Sequence, residues 1–366
     1  MQDENIMKQV LRLAKKGYGM VRSNPLVGCI ITNYNGEILG SGWHQKYGEN
    51  HAEIEAILDA QSNNNNIENA KMYINLEPCC HFGKTPPCID AIIKEKIAKV
   101  IIGIKDPFQK VSGLGISALE KAGIEVKVNI LKEECIDVNS KFIINNIYQR
   151  PEINIKIATT IDGKMSDHKG ESKWITCNES RQYVHTNIRN KCDAMLTTAK
   201  TILKDNPFLS VRIGEQIIYK TIIVVDKNLE TLNHKELNIF KNKNTKIIFL
   251  TNIKKDNYDR FVFIYCDLLK NGKLNIKNSW KHLLQLEIFS LSTECGAEFT
   301  SYLLENDLFD KIYHFTAPIL SNSKSINAFN FNSNIEINQW QELLLRQTKQ
   351  INCDILGIYC KKILDY

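Results

Sequence analysis

At 366 residues the chain exceeds the length over which a single hydrophobic core usually keeps growing, so two domains are expected. Hydrophobic residues at 43% and charged residues at 24% describe an ordinary soluble globular protein and exclude disordered and membrane-embedded classes. The net charge of +6 is dispersed among many Lys, Asp and Asn residues, which does not require nucleic acid but suits a phosphorylated small substrate.

No apolar run approaches the roughly 20 residues needed to span a bilayer. Met1-Gln2-Asp3-Glu4-Asn5 also lacks the basic and apolar segments of a signal peptide. A cytoplasmic location with no membrane partner is therefore expected. Eleven cysteines, an odd number without a short-spaced framework, suit a reducing compartment in which thiols serve metal or core.

In chain order, Ile6, Val10, Leu13 and Ala14 recur at helical spacing, and the segment closes at Gly17 to Gly19. Asn24-Pro25 turns into an apolar strand at Val27 to Ile31, and the hairpin signal Asn35-Gly36 returns the chain through Glu37 to Trp43. The next helix takes Ile54, Ile57 and Leu58 as its apolar face and carries His51 and Glu53 in its first turn. A polar loop at Ser62 to Asn66 precedes a strand, Lys71 to Leu76, which delivers Glu77-Pro78-Cys79-Cys80. Cys88 opens a helix with Ile89, Ile92 and Ile93; a strand at Val100 to Ile104, a helix at Ile116 to Lys121 and a strand at Ile124 to Val128 follow. This alternation predicts an α/β/α sandwich with a mostly parallel inner part. Its metal-bearing helices would meet at the carboxyl ends of the strands.

His51, Cys79 and Cys88 carry the chemistry. One neutral imidazole and two thiolates give a charge-balanced tetrahedral zinc site, and three protein ligands leave a fourth position open, as catalytic rather than structural zinc requires. Glu53, two residues from the histidine and not needed as a ligand, suits a proton shuttle between a water at that position and a leaving amine. The spacing His-x-Glu followed by Pro-Cys is the established signature of zinc-dependent base deaminases. Cys80 is expected to be a neighbour of the site and not a ligand.

Asn24-Pro25-Leu26-Val27-Gly28-Cys29, His51-Ala52-Glu53, Leu76 to Cys88, Gly113-Leu114-Gly115 and Ala122-Gly123-Ile124-Glu125-Val126 resemble the deaminase half of the bifunctional riboflavin-biosynthesis deaminase/reductases. The wide Pro-Cys-x8-Cys interval, enclosing His81, Gly83, Lys84, Thr85, Pro86 and Pro87, looks like that family and unlike the Pro-Cys-x-x-Cys of cytidine and tRNA deaminases. The resemblance implies that Asn24, His44, His81, Lys84 and Asp106 hold the pyrimidine, ribose and phosphate of the substrate. Asp106-Pro107-Phe108-Gln109 departs from the family's usual Asp-Pro-Asn-Pro, replacing an amide by an aromatic ring.

A linker is expected around Asn145 to Arg150, giving a deaminase domain over 1–147 and a second domain over 148–366. In the latter, Ile153 to Ala158 reads as a strand, Thr160 to Lys164 as a turn, and Asn178 as the cap of a helix running to about Lys191. Later strands are predicted at Thr221 to Val225, Lys246 to Leu250, Ile288 to Leu291, Lys311 to Phe315 and Asp354 to Lys361. Helices are predicted at Trp280 to Leu286 and Thr300 to Glu305, so this domain is also α/β. No Gly-x-Gly-x-x-Gly follows its first strand, and a Rossmann fingerprint is absent.

Arg150-Pro151, Ile155 to Ala158, Ile161 to Lys164, Gly170 to Thr176, Arg189 and Asp205 to Arg212 match, in order, the reductase half of the same family, whose fold is like dihydrofolate reductase. The expected architecture is therefore a cytidine-deaminase-like α/β/α sandwich followed by a dihydrofolate-reductase-like α/β domain. By this resemblance Ser172, Arg189, Leu209, Arg212 and Glu294 meet the substrate, two guanidinium groups being well suited to its phosphate. Ala158, Trp174, Thr201 and Asp205 would meet NADPH, and the backbone at Gly296 would approach the cofactor phosphates at a helix start. Hydride delivery to C1′ of a ring-opened ribose imine also needs a proton source, for which Lys156 and Glu294 are the candidates.

The resemblance implies one zinc per chain, NADPH, phosphorylated pyrimidine substrates and no nucleic-acid partner, with self-association into a homo-oligomer allowed. Two rival readings are a nucleic-acid base deaminase with an accessory domain, which the positive charge favours, and a zinc-stabilised scaffold without turnover, suggested by Phe108 and by Cys295, which stands where the resemblance implies a small residue. Steep salt-dependent nucleic-acid binding would mark the first, and bound zinc without turnover the second.

Overall fold

The computed structural model describes residues 2–80, 86–108, 112–321, 324–331, 336 and 341–361. It divides into two compact units, Met1–Gln149 and Arg150–Tyr366.

The first unit contains helices α1 (Gln2–Ala14), α2 (Ala52–Ser62), α3 (Cys88–Lys94), α4 (Leu114–Lys121), α5 (Lys132–Val138) and α6 (Ser140–Ile147). Its strands are β1 (Gly28–Thr32), β2 (Ile38–Trp43), β3 (Lys71–Leu76), β4 (Lys99–Ile104) and β5 (Glu125–Lys127), arranged β2-β1-β3-β4-β5. β1 is antiparallel to both neighbours, while β3, β4 and β5 run parallel. The near-continuous burial of β1, β3 and β4 follows from their largely apolar composition, since a strand covered on both faces needs no polar alternation. α5 and most of α6 fall in a stretch for which the sequence suggested no element, and only the end of α6 overlaps the expected linker.

The seating of α2 differs from the expectation. Ile57 is buried, but Ile54 is only partly covered and Leu58 is exposed; the buried face is Ala52, Glu53, Ala56, Ile57 and Ala60. Two glycines of β2 explain this. A methyl group at Gly40 would lie 2.3 Å from the Ala56 carbonyl oxygen, and one at Gly42 would lie 2.5 Å from the Ala56 nitrogen. Helix and strand therefore meet backbone to backbone, and alanine is the side chain that fits between them. That close contact fixes the helix start on which His51 and Glu53 ride.

The second unit has thirteen described strands, nine of which form one sheet and four of which form two separate pairs. Its strands are β6 (Glu152–Thr160), β7 (Lys164–Ser166), β8 (Ala194–Thr198), β9 (Val211–Ile213), β10 (Gln216–Ile218), β11 (Thr221–Val225), β12 (Ile247–Thr251), β13 (Phe261–Tyr265), β14 (Ser290–Thr293), β15 (Lys311–Ala317), β16 (Ile326–Asn327), β17 (Leu344–Ile351) and β18 (Asp354–Cys360). The order is β13-β12-β11-β8-β14-β6-β15-β18-β17, parallel from β13 to β15, with β18 and β17 added antiparallel. Helices α7 (Asn178–Tyr183), α8 (Ala199–Asp205), α9 (Asn238–Lys241), α10 (Trp280–Gln285) and α11 (Ala297–Glu305) complete it. α7 continues in wider π-type winding over Val184–Arg189. Its cap is Cys177, whose sulfur accepts the Ser180 N–H, and not the expected Asn178.

One buried ion pair pins the entry to this sheet. Arg150 donates from Nη1 and Nη2 to the two carboxylate oxygens of Asp310, each at 2.7 Å, and Asp310 also accepts the Ile153 N–H. Their side chains are only 10% and 9% exposed. Asp310→Ala is expected to cost about 3–5 kcal/mol, because it leaves a buried guanidinium without its counter-charge. Denaturant unfolding of variant and parent measures the difference.

Candidate active sites

In the first unit three segments converge at the carboxyl end of β3. His51 is the extended residue that precedes α2, Cys79 follows β3 across Glu77-Pro78, and Cys88 opens α3. The Nδ1 atom of His51 lies 3.2 Å from the Cys88 sulfur and 3.5 Å from the Cys79 sulfur, and all three donor atoms fall within 4.8 Å of one another. A tetrahedral zinc with arms of about 2.1 Å to nitrogen and 2.3 Å to sulfur has an N–S edge of roughly 3.6 Å. These donors fit that ion in type and spacing. Cys80 stands outside the cluster.

The Cys88 N–H also donates to the Cys79 sulfur at 3.3 Å. A hydrogen bond from the Cys88 thiol, with smaller help from His51, pulls the Cys79 thiol down to about 4 and drives Cys88 up. Glu53 is 3% exposed, within hydrogen-bonding reach of Cys88, and burial followed by the Cys79 charge pushes its carboxyl up to about 7.

A cavity of about 290 Å³ opens on this cluster, lined by Asn24, His44, His51, Glu53, Cys79 and Asp106 among others. His44 is buried, with Nδ1 2.9 Å from the Asn50 carbonyl oxygen and Nε2 3.0 Å from the Asn24 amide nitrogen. A carbonyl can only accept and an amide NH2 can only donate, so the ring carries its proton on Nδ1 and accepts at Nε2. Burial lowers its pKa, in keeping with that neutral tautomer. His81, Lys84 and Gln109 lie outside the described residues. Phe108 is exposed and its N–H donates to the Asp106 carboxylate, away from the lining of this cavity.

Glu77 had been given no role in the sequence, although it begins the cysteine motif. Its carboxylate accepts four backbone N–H groups, from Asp106, Gly113, Gly115 and Ile116, at 2.9–3.2 Å. The residue ahead of Cys79 thus secures the segment that brings Asp106 to the cavity. Four partners about 30 to 40 positions away give no local signal, which is why spacing alone missed it.

In the second unit a larger cavity, about 1470 Å³, lies over the central strands. Lys156 and Ala158 come from β6, Arg189 from the helix after α7, Thr201 and Asp205 from α8, and Arg212 from β9. Glu294 follows β14, and Gly296 precedes α11. Ser172, Trp174 and Leu209 complete the set of expected contacts, all of which line this one cavity. Among the described residues nothing stands within 4 Å of where a Gly296 Cβ would sit, which leaves that backbone open to a ligand.

Arg189 and Glu294 form a two-pronged pair, Nε to Oε1 at 2.6 Å and Nη2 to Oε2 at 2.8 Å, while Arg189 Nη1 donates to the Ser210 carbonyl. Burial alone would raise the Glu294 carboxyl; the charge and hydrogen bonds of Arg189 outweigh it and hold the group at about 2. Glu294 is therefore an ionised partner of Arg189, while the helix cap is Gly296. Lys156 is partly buried, and burial lowers its ammonium pKa against the opposing pull of Glu294. His185 went unnoticed in the sequence. It accepts the Arg212 backbone N–H at Nδ1, and burial with the charges of Arg189 and Arg212 lowers it to about 4. Its place four residues before Arg189, one helical turn away, was the available clue.

Residues 1–104 match the cytidine and deoxycytidylate deaminase zinc-binding region, and residues 151–334 match the RibD C-terminal domain. The chain is 38% identical to the riboflavin biosynthesis protein RibD of Aquifex aeolicus, over 86% of this chain and 87% of that protein. It is 34% identical to the RibD of Actinobacillus pleuropneumoniae over 98% and 95% of the two chains. Among solved structures it is similar to the diaminohydroxyphosphoribosylaminopyrimidine deaminase/5-amino-6-(5-phosphoribosylamino)uracil reductase of Thermotoga maritima, with TM-score 0.83, 31% identity, and 98% and 99% coverage. Acinetobacter baumannii RibD gives TM-score 0.81 at 29% identity, covering 98% of each chain.

Proposed function

Because the chain belongs to the family of the riboflavin-biosynthesis protein RibD, we propose that it is a bifunctional deaminase and reductase working on the successive phosphoribosylaminopyrimidines of that route. The N-terminal unit hydrolyses the 2-amino group of 2,5-diamino-6-(5-phosphoribosylamino)pyrimidin-4(3H)-one: water enters and ammonia leaves. The C-terminal unit then reduces the ribosyl group of 5-amino-6-(5-phosphoribosylamino)uracil to ribityl with NADPH. The observation that carries the reading is the buried Glu53 carboxyl beside three convergent donors of catalytic-zinc type.

Zinc held by His51, Cys79 and Cys88 supplies a Lewis acid that brings the pKa of a water to about 7. Glu53 takes a proton from the attacking water and hands one to the departing amine. Asn24 and Asp106 line the space left for the pyrimidine, and His44 orients Asn24 by accepting from its amide.

For the reduction, NADPH supplies the hydride. Lys156 and Glu294 take separate roles: a carboxyl held ionised by Arg189 is a poor proton donor, whereas an ammonium with a lowered pKa gives its proton readily. Lys156 is thus the proton source, and Glu294 orients Arg189 and binds substrate. Arg189 and Arg212 supply the positive charge suited to the phosphate. No described helix is long and apolar enough to cross a membrane.

A turnover assay of the zinc-loaded chain with the diaminopyrimidine ribosyl phosphate tests both halves. Ammonia release without NADPH, followed by NADPH oxidation on its addition, is expected. Ammonia without oxidation would confine the activity to the N-terminal unit, and neither signal from folded, zinc-bound protein would overturn the proposal.

A further inference from the structure

A second group of sulfur and oxygen donors in the C-terminal unit takes no part in the chemistry above. The turn between β17 and β18, Ile351-Asn352-Cys353-Asp354, meets the residue that caps α7. The donor atoms of Cys177, Cys353 and Asp354 lie within 4.8 Å of one another. Asp354 is fully buried; one carboxylate oxygen accepts the Cys177 N–H at 2.9 Å, and the other lies 3.6 Å from the Cys353 sulfur. Glu179, in the first turn of α7, reaches the Cys177 and Asn352 side chains with its carboxylate. Two thiols and one buried carboxylate, from segments remote in sequence, thus share one small volume, with the exposed Glu179 at its edge.

Two nearby thiols could instead be a redox pair. Reactive cysteines, however, sit in electropositive surroundings that favour the thiolate, and here the charged group in contact with the Cys353 sulfur is the Asp354 carboxylate, while Arg181 is engaged by Thr176 and Asn178. A buried carboxylate beside two sulfurs attracts a cation that can take the place of the thiol protons. The hydrogen bond from Cys177 N–H to Asp354 is the kind of outer support that orients a ligating carboxylate. Sulfur together with carboxylate oxygen selects a thiophilic ion over magnesium or calcium.

We propose that Cys177, Cys353 and Asp354 form a second metal site that takes a thiophilic divalent cation such as Zn2+. Cys353 is exposed and gives the ion its entry. Binding exchanges the two thiol protons for one cation, with no oxidation. The ion clips the β17–β18 turn to the segment in which Trp174, Ile175 and Thr176 line the reductase cavity. The site is independent of the histidine-containing cluster in the other unit.

The test is a Cd2+ titration of the full chain, stripped of metal and kept reduced, read by thiolate-to-cadmium charge-transfer absorbance and by elemental analysis. The parent chain is expected to take up two equivalents. Cys353→Ser, a change at an exposed side chain, should take up one and lose about half of the absorbance, while Cys79→Ser should keep the equivalent that Cys353→Ser loses. Saturation of the parent at one equivalent, or a Cys353→Ser titration matching the parent, overturns the proposal.

Discussion

Glu53→Gln is expected to leave zinc content unchanged and to lower ammonia release by about 10³-fold or more, at the upper part of the range for a positioned proton shuttle. Glutamine keeps the volume of a side chain that is 3% exposed, so the packing of the α2 start against β2 persists. It cannot take a proton from water. The three metal donors are other residues, and their spacing does not depend on the carboxylate. Reductase turnover of 5-amino-6-(5-phosphoribosylamino)uracil, supplied directly, should stay at the parent level. Parallel loss of both activities would show that the two sites do not work separately.

The complementary variant is Glu294→Gln. It removes the charge facing Arg189, whose side chain is 15% exposed, and breaking such a buried pair costs about 3–5 kcal/mol. If about half of that appears in the reductive step, kcat/KM for NADPH oxidation falls by roughly 10- to 70-fold. Ammonia release should be unaffected. Arg189→Met alone should act mainly through KM for the phosphorylated substrate, and the double variant should be less impaired than the two losses combined, because the residues form one unit. Additive losses would sink the pairing argument.

These two variants address the parts of the protein that were legible to different degrees. That His51, Cys79 and Cys88 would converge, with Glu53 beside them, could be read directly, because few residue patterns suit a catalytic zinc. The core strands were legible for a similar reason: Ile-rich runs such as Val100 to Ile104 have few destinations other than a covered sheet. β17 was not. Its residues Leu344 to Ile351 are largely exposed and polar, and only pairing with β18 makes them a strand. The face of α2 was misread because glycines in a different element made alanine, not isoleucine, the residue that fits.

By itself, then, the sequence determined the chemistry of the metal donors, the α/β class and the order of the reductase motifs, since each is set by residue type and short spacing. Tertiary structure decided the four N–H groups gathered by Glu77, the pairing of Arg189 with Glu294 across 105 positions, and the meeting of Cys177 with the turn at Asp354, 177 positions on. Such contacts arise from the close approach of strand ends and helix starts that are distant in the chain. Local propensity carries no information about which of them will meet.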